Sequence, residues 1–160
     1  MNQQATTVSP LELSAEDALQ VSALLKIAVD AQGGYATAAR DAKSTEHRNI
    51  LSQYAHQRQT QAAELEQLLR ASGHATNKTG TVAGAFHQGW INLRAMLSQG
   101  DQAILQECAR ADELAMAAYH DFMHKTSNHT LVQILQRQVT GIQEAHDQLA
   151  ALNSASHTAG

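Results

Sequence analysis

The chain carries a single proline, Pro10, and no proline interrupts it from residue 11 to residue 160. Proline removes a backbone donor and clashes with the preceding helical turn, so its absence lets helices run long. Helix formers fill the stretch, with 29 Ala and 18 Gln among 160 residues. The alternation of β-branched and aromatic residues that marks strands appears nowhere. The chain therefore reads as all-α, with helices longer than the usual three turns.

Apolar residues spaced three, four and seven apart place the helices. Residues 1–13 read as a flexible N-terminal segment and 154–160 as a frayed tail, flanking a single helical unit over 14–153. Ser14 with Asp17 signals a helix start. The first stripe is Val21, Leu25, Ala28, Tyr35 and Ala39, running to about residue 42. It contains Gly33 and Gly34, whose place mid-helix implies close backbone approach or a kink. Ser44 or Thr45 caps a second helix over about 46–71, on Leu51, Tyr54, Ala55, Ala62, Leu65 and Leu69, closed by Gly73. A shorter helix is predicted within 81–100, on Val82, Phe86, Trp90, Leu93 and Leu97. Asp101 is read as the cap of a helix over 102–125, with Leu105, Cys108, Ala115, Tyr119 and Phe122 inward. The last helix, about 129–153, carries Val132, Leu135, Val139, Ile142, Leu149 and Leu152.

The four long helices are each about 35–42 Å at 1.5 Å per residue. The hinges near 44 and 127 are short and join antiparallel neighbours. About 30 residues with a shorter helix separate the two hairpins, enough to cross a bundle end to end. This order implies an antiparallel four-helix bundle with a crossover helix between the second and third long helices, the ferritin-like layout. A plain five-helix up-and-down array is the competing arrangement.

Eleven basic against fifteen acidic residues give a net charge of −4. That balance, with no basic stripe, argues against nucleic acid or an anionic membrane as partner. No apolar run reaches the roughly 18 residues of a membrane helix, and residues 1–17 lack the basic and apolar regions of a signal peptide. The single cysteine excludes a disulfide framework and fits a reducing cytoplasm, the expected location.

The run Thr81-Val82-Ala83-Gly84-Ala85-Phe86-His87-Gln88-Gly89-Trp90-Ile91-Asn92-Leu93 resembles a bacterial family of four-helix bundles of unknown function, placed in the ferritin/rubrerythrin-like superfamily. Further matches lie at Gly34-Tyr35, Ala38-Ala39, Gln57-Arg58 and Ala62-Ala63-Glu64-Leu65. Others follow at Glu107-Cys108, Ala118-Tyr119 and Ala145-His146-Asp147, so the resemblance covers roughly residues 18–152. It implies a ferritin-like bundle and supplies no activity. Members of the family often carry Glu where this chain has Gln32 and Asp112.

Metal-binding ferritin-like proteins bring together one Glu from each of two helices and a Glu-x-x-His pair from each of the other two. No Glu-x-x-His motif occurs here. The nearest runs are Gln53-Tyr54-Ala55-His56 and Gln143-Glu144-Ala145-His146, where a neutral amide replaces the first carboxylate. Arg58 falls on the inner side of its helix, where a guanidinium would repel a pair of cations. The leading expectation is a buried polar layer of Gln32, Arg58, Asp112 and Gln138, with Arg58–Asp112 as its charge pair, since a buried charge needs a partner. The alternative is an iron or manganese site built from Asp112 and His146 with His56 and Glu144, serving storage or oxidation.

Other groupings are weaker. His120 and His124, spaced i,i+4, with His129 beyond the turn, form either a solvated trio or a surface zinc or copper site. Cys108 and His146 are predicted at about one level of the last hairpin, either as a core thiol beside a histidine or as an activated pair. Tyr35, Tyr54 and Tyr119 read as core residues with satisfied hydroxyls. Phe86, Trp90, Met96 and Leu97 pack on the bundle or offer a partner surface. The expectation is a non-enzymatic structural or interaction protein without a cofactor, self-associating as a dimer or meeting another protein. A small-molecule pocket between the helices is a third reading.

Overall fold

The computed structural model describes residues 11–76, 90 and 92–158. Among them every regular element is helical, and no helix is long and apolar enough to cross a membrane. Four long helices dominate: α1 (Ala15–Asp41), α2 (Thr45–Ala71), α3 (Asp101–Lys125) and α4 (His129–Thr158). The flexible segment expected at the N-terminus falls mostly on residues 1–10, outside the described residues. At the other end α4 runs through Thr158, past the predicted end near 153.

The helix starts follow from local chemistry. The Ser14 hydroxyl accepts from Asp17 N at 3.0 Å, and Ser44 accepts from His47 N. Each thereby satisfies a backbone donor that the first turn leaves open. Beyond α2 the chain turns at Gly73, whose φ of 74° suits a residue without a Cβ. Asp101 does not cap its own helix. The residue before α3 is Gly100, and Asp101 is the helix's first residue. Its carboxylate instead accepts from Lys43 N at 2.8 Å, Ser44 N at 2.9 Å and His47 Nδ1 at 2.8 Å, clipping the α1–α2 turn to the start of α3.

That clip sets the direction of the helices. Asp101 lies beside the end of α1 and the start of α2, while Asn128 Nδ2, past the end of α3, donates to Glu12 O at 3.3 Å. So α3 runs antiparallel to α1 and parallel to α2. Arg137 meets Glu64, and Tyr54 meets Gln148, so α4 runs antiparallel to α2. Residues 72 and 100 thus lie near opposite ends of α2, which is about 40 Å long for its 27 residues. Of the helix predicted within 81–100, residues 92–96 are helical and Leu97–Gln99 form a 3₁₀ turn; 81–89 and 91 lie outside the described residues.

Most described residues of the predicted stripes face inward, while Ala55, Leu97, Val132 and Leu152 are half-buried and Val82 and Phe86 lie outside the described residues. Val21, Leu25, Tyr35, Leu51, Leu65, Leu105, Cys108, Tyr119, Leu135 and Leu149 are all buried. The core is in two parts. One cluster gathers around Val21, Leu25, Leu65, Leu69, Tyr119, Phe122 and Leu131. The other gathers around Tyr35, Leu51, Tyr54, Leu93, Leu105, Cys108 and Leu149. Along α2 the boundary falls at Arg58, between Tyr54 and Ala62; along α3 it falls at Asp112, between Cys108 and Ala115.

Candidate functional site

Arg58 and Asp112 occupy that boundary, each with a side chain only 1% exposed. Tyr54, Arg58 and Ala62 are spaced four apart on α2, as are Cys108 and Asp112 on α3, so the apolar stripe itself carries both charges inward. Arg58 Nη2 donates to Asp112 Oδ1 at 2.7 Å, and the Tyr35 hydroxyl donates to Asp112 Oδ2 at 2.5 Å. Arg58 Nη1 donates to Gln57 Oε1, and its guanidinium carbon lies 5.4 Å from the centre of the Tyr35 ring. Three helices thus converge on one carboxylate.

The electrostatics follow the burial. Desolvation pushes Asp112 above the usual carboxylate range, while Arg58 and the Tyr35 hydroxyl pull it back. Burial draws Arg58 down, but Asp112 and Tyr35 outweigh it and hold the guanidinium charged. Burial, reinforced by Asp112, drives the Tyr35 phenol well up, so it stays protonated and donates. The Cys108 thiol is likewise pushed well up, by burial first and then by Asp112 and Glu107. A thiol so placed is not a nucleophile.

Of the four residues expected in one layer, Arg58 and Asp112 meet as a pair and Gln138 stands in a second station. Gln138 Oε1 accepts from Tyr119 at 2.7 Å; its Nε2 donates to Glu64 Oε1 at 2.8 Å and to Gln61 O at 3.3 Å. Gln61 Nε2 returns the bond to Gln138 O at 3.2 Å, a reciprocal clasp between α2 and α4. Gln32 does not belong to the layer. It is half-buried, about 60° round the helix from Tyr35 at 3.6 residues per turn, and the phenol of Tyr35 takes the interior polar role instead. Sequence reasoning placed Tyr35 correctly in the core without identifying it as the partner of Asp112. It also missed the buried Gln61, Glu107 and Lys26.

The expected metal ligands do not converge. His56 and Glu144 are exposed, and both oxygens of Asp112 are engaged. His146 meets Glu113 Oε1 through Nε2 at 3.0 Å and Asp147 Oδ1 through Nδ1 at 3.2 Å. That leaves neither nitrogen for a cation or for Cys108. His120, His124 and His129 are exposed, and among the described residues no three of His, Cys, Asp and Glu gather into a metal site. A di-metal centre needs several carboxylates to offset its charge. One carboxylate already neutralised by a guanidinium does not fit it.

Tyr35 also joins the pair to an aromatic group. Trp90 and Tyr35 have ring centres 5.6 Å apart, and Tyr35 and Tyr54 5.8 Å. Trp90 lies directly on Gly34, where a Cβ would run into the Cε3 of the indole, whereas Gly33 faces open space. Leu93 is buried, and Trp90 and Leu97 pack against the same cluster. Phe86 lies outside the described residues.

A family profile described as Domain of unknown function (DUF2383) matches residues 15–125, from the first residue of α1 to the last of α3. No curated protein matches the chain.

Proposed function

The chain belongs to the family described as Domain of unknown function (DUF2383), and from that premise we propose that it is a ferritin-like helical bundle with a structural or interaction role, its interior closed by side chains where a metal-binding relative would hold ions. The observation that carries this reading is the double occupancy of Asp112. One oxygen takes Arg58, the other Tyr35, and the site already holds its cation. The helix directions support the ferritin-like part: α2 and α3 run parallel, and one long connection over 72–100 joins them. Work at this protein's surfaces, including pairing of two copies through helix faces, completes the proposal.

The test is metal content by mass spectrometry after anaerobic reconstitution with iron and then with manganese. The expected result is no ion held in fixed proportion to the chain. One or two tightly held ions per chain, lost in Asp112→Asn, would overturn the reading. Light scattering coupled to gel filtration tests the pairing, which predicts twice the monomer mass.

A further inference from the structure

The histidines differ in what holds their rings. His47 is held by Asp101, His74 Nε2 meets Leu13 O at 3.2 Å, and His146 lies between Glu113 and Asp147. His120 and His124 are placed differently. Both are exposed, and neither ring has a hydrogen-bond or ion-pair partner among the described residues. They stand four apart on α3, so both side chains leave the same face of the helix, with Cβ atoms about 5–6 Å apart. That spacing lets two imidazoles share one metal ion. No other two of the nine histidines in the chain are three or four apart.

The helix presents this pair from a fixed backbone. Tyr119, just before His120, and Phe122, between the two histidines, are 1% and 2% exposed and anchor the turn in the core. Binding therefore orders two side chains and no main chain. Ala117, three residues before His120 on the same face, is exposed and adds only a methyl group beside the rings. The surrounding charge does not oppose a cation. The helix ends at Lys125, so His124 lies in its last turn, where the carbonyl end of the helix favours positive charge. Lys125 is tied to Asp121 at 2.8 Å, a pair without net charge. We infer that His120 and His124 form a surface site for one divalent ion of the copper, nickel and zinc class, each imidazole ligating through a ring nitrogen and water filling the remaining positions. Imidazole suits these ions, and affinity at such ligands rises from manganese and iron through nickel to copper. This inference stands apart from the proposal about Asp112, whose oxygens belong to Arg58 and Tyr35 in the interior.

The experiment is calorimetric titration of the full, untagged chain with copper(II), nickel(II) and zinc(II) chloride in turn. The expected result is one ion per chain at this site, with copper(II) held most tightly. His120→Ala and His124→Ala should each weaken binding at least about tenfold, since the second ligand is lost and with it the effective concentration that a shared scaffold supplies. His124→Ala/Lys125→His keeps the number of histidines but sets the two five apart, about 140° round the helix, and should bind as weakly as the single variants. His56→Ala removes an exposed histidine with no neighbour at that spacing and should bind as the parent does. All these positions are exposed, so the variants keep the fold, which circular dichroism checks. Absence of binding by all three ions would overturn the inference, as would unchanged binding in either single variant. So would parental affinity in the five-apart variant, or a loss in His56→Ala equal to that in His120→Ala.

Discussion

Replacing Arg58 by methionine tests the interior most directly. Methionine keeps much of the length and volume of the side chain while deleting the charge, so the change isolates the electrostatics from the cavity that alanine would add. Asp112 is then left as a carboxylate whose side chain is 1% exposed, with only the Tyr35 hydroxyl to hold it. Breaking a buried pair on one side costs about 3–5 kcal/mol. For a chain of this size that is roughly 6–20 °C in melting temperature at about 2–4 °C per kcal/mol. Asp112→Leu should cost a similar amount by stranding Arg58. Removing the whole unit is different. In Tyr35→Phe/Arg58→Met/Asp112→Leu no charge or hydroxyl remains unpartnered, and stability should return to within about 2 kcal/mol of the parent, or exceed it. Thermal and urea unfolding followed by circular dichroism provide the measurement. If Arg58→Met unfolds within about 1 kcal/mol of the parent, the pair is not the buried, mutually dependent unit described here, and the reasoning fails.

Gly34→Ala should push Trp90 off its seat and cost about 1–3 kcal/mol as overpacking, whereas Gly33→Ala, which meets nothing within 4 Å, should stabilise by up to about 1 kcal/mol; fluorescence of the single tryptophan reads the first and thermal melting both. Burial pulls the His146 pKa down, but Glu113 and Asp147 outweigh it and raise it. The stability it supplies is therefore full below its unfolded value of about 6.5 and is lost as pH rises through the folded pKa. Melting curves of the parent and His146→Gln should converge above that point, and a constant difference across the range refutes the assignment. Asp101 is lowered despite its burial, by Lys43 N, Ser44 N and then His47, so its contribution is lost as pH falls through its folded pKa. Asp101→Ala should cost about 1–3 kcal/mol by stripping two backbone donors of their acceptor, with faster amide exchange at Lys43 and Ser44.

The long helices were legible because their apolar spacing is regular and their starts carry local chemistry, as at Ser14 and Ser44. The pairing of Arg58 with Asp112 was legible for the same reason: each interrupts an apolar stripe at the inward position. What failed to show was whatever depends on position within a stripe or on a distant segment. Gln32 and Tyr35 lie on the same side of α1, and a step of about 60° separates the half-buried edge from the centre. Asp101 has the composition and place of a helix cap, yet its partners lie more than fifty residues earlier, at Lys43, Ser44 and His47. Gln61 becomes the partner of Gln138 only once the register of α2 against α4 is known. Gly33 and Gly34 are the same letter in the sequence and face opposite surroundings, because one points at Trp90 and the other does not.

Alanine content gives the polar boundary a further consequence. Small, similar side chains fill much of the inward faces, with Ala28, Ala31, Ala38, Ala39, Ala62, Ala111, Ala115 and Ala145 all buried. Such faces attract one another but discriminate poorly between neighbouring registers, since a shift exchanges one methyl for another. Arg58 and Asp112 discriminate sharply. A slip of one residue in α2 turns its side chains by about 100°, which carries Arg58 off the inward face and leaves Asp112 buried without its guanidinium. The Gln61–Gln138 clasp imposes the same condition between α2 and α4. The triple variant that removes the pair should therefore keep its stability while losing uniqueness. Its amide NMR spectrum should broaden or double, and it should bind a hydrophobic dye that the parent excludes. A triple variant with one sharp set of signals and no dye binding would show that the apolar contacts alone set the register, and the pair would then need another reason to be buried.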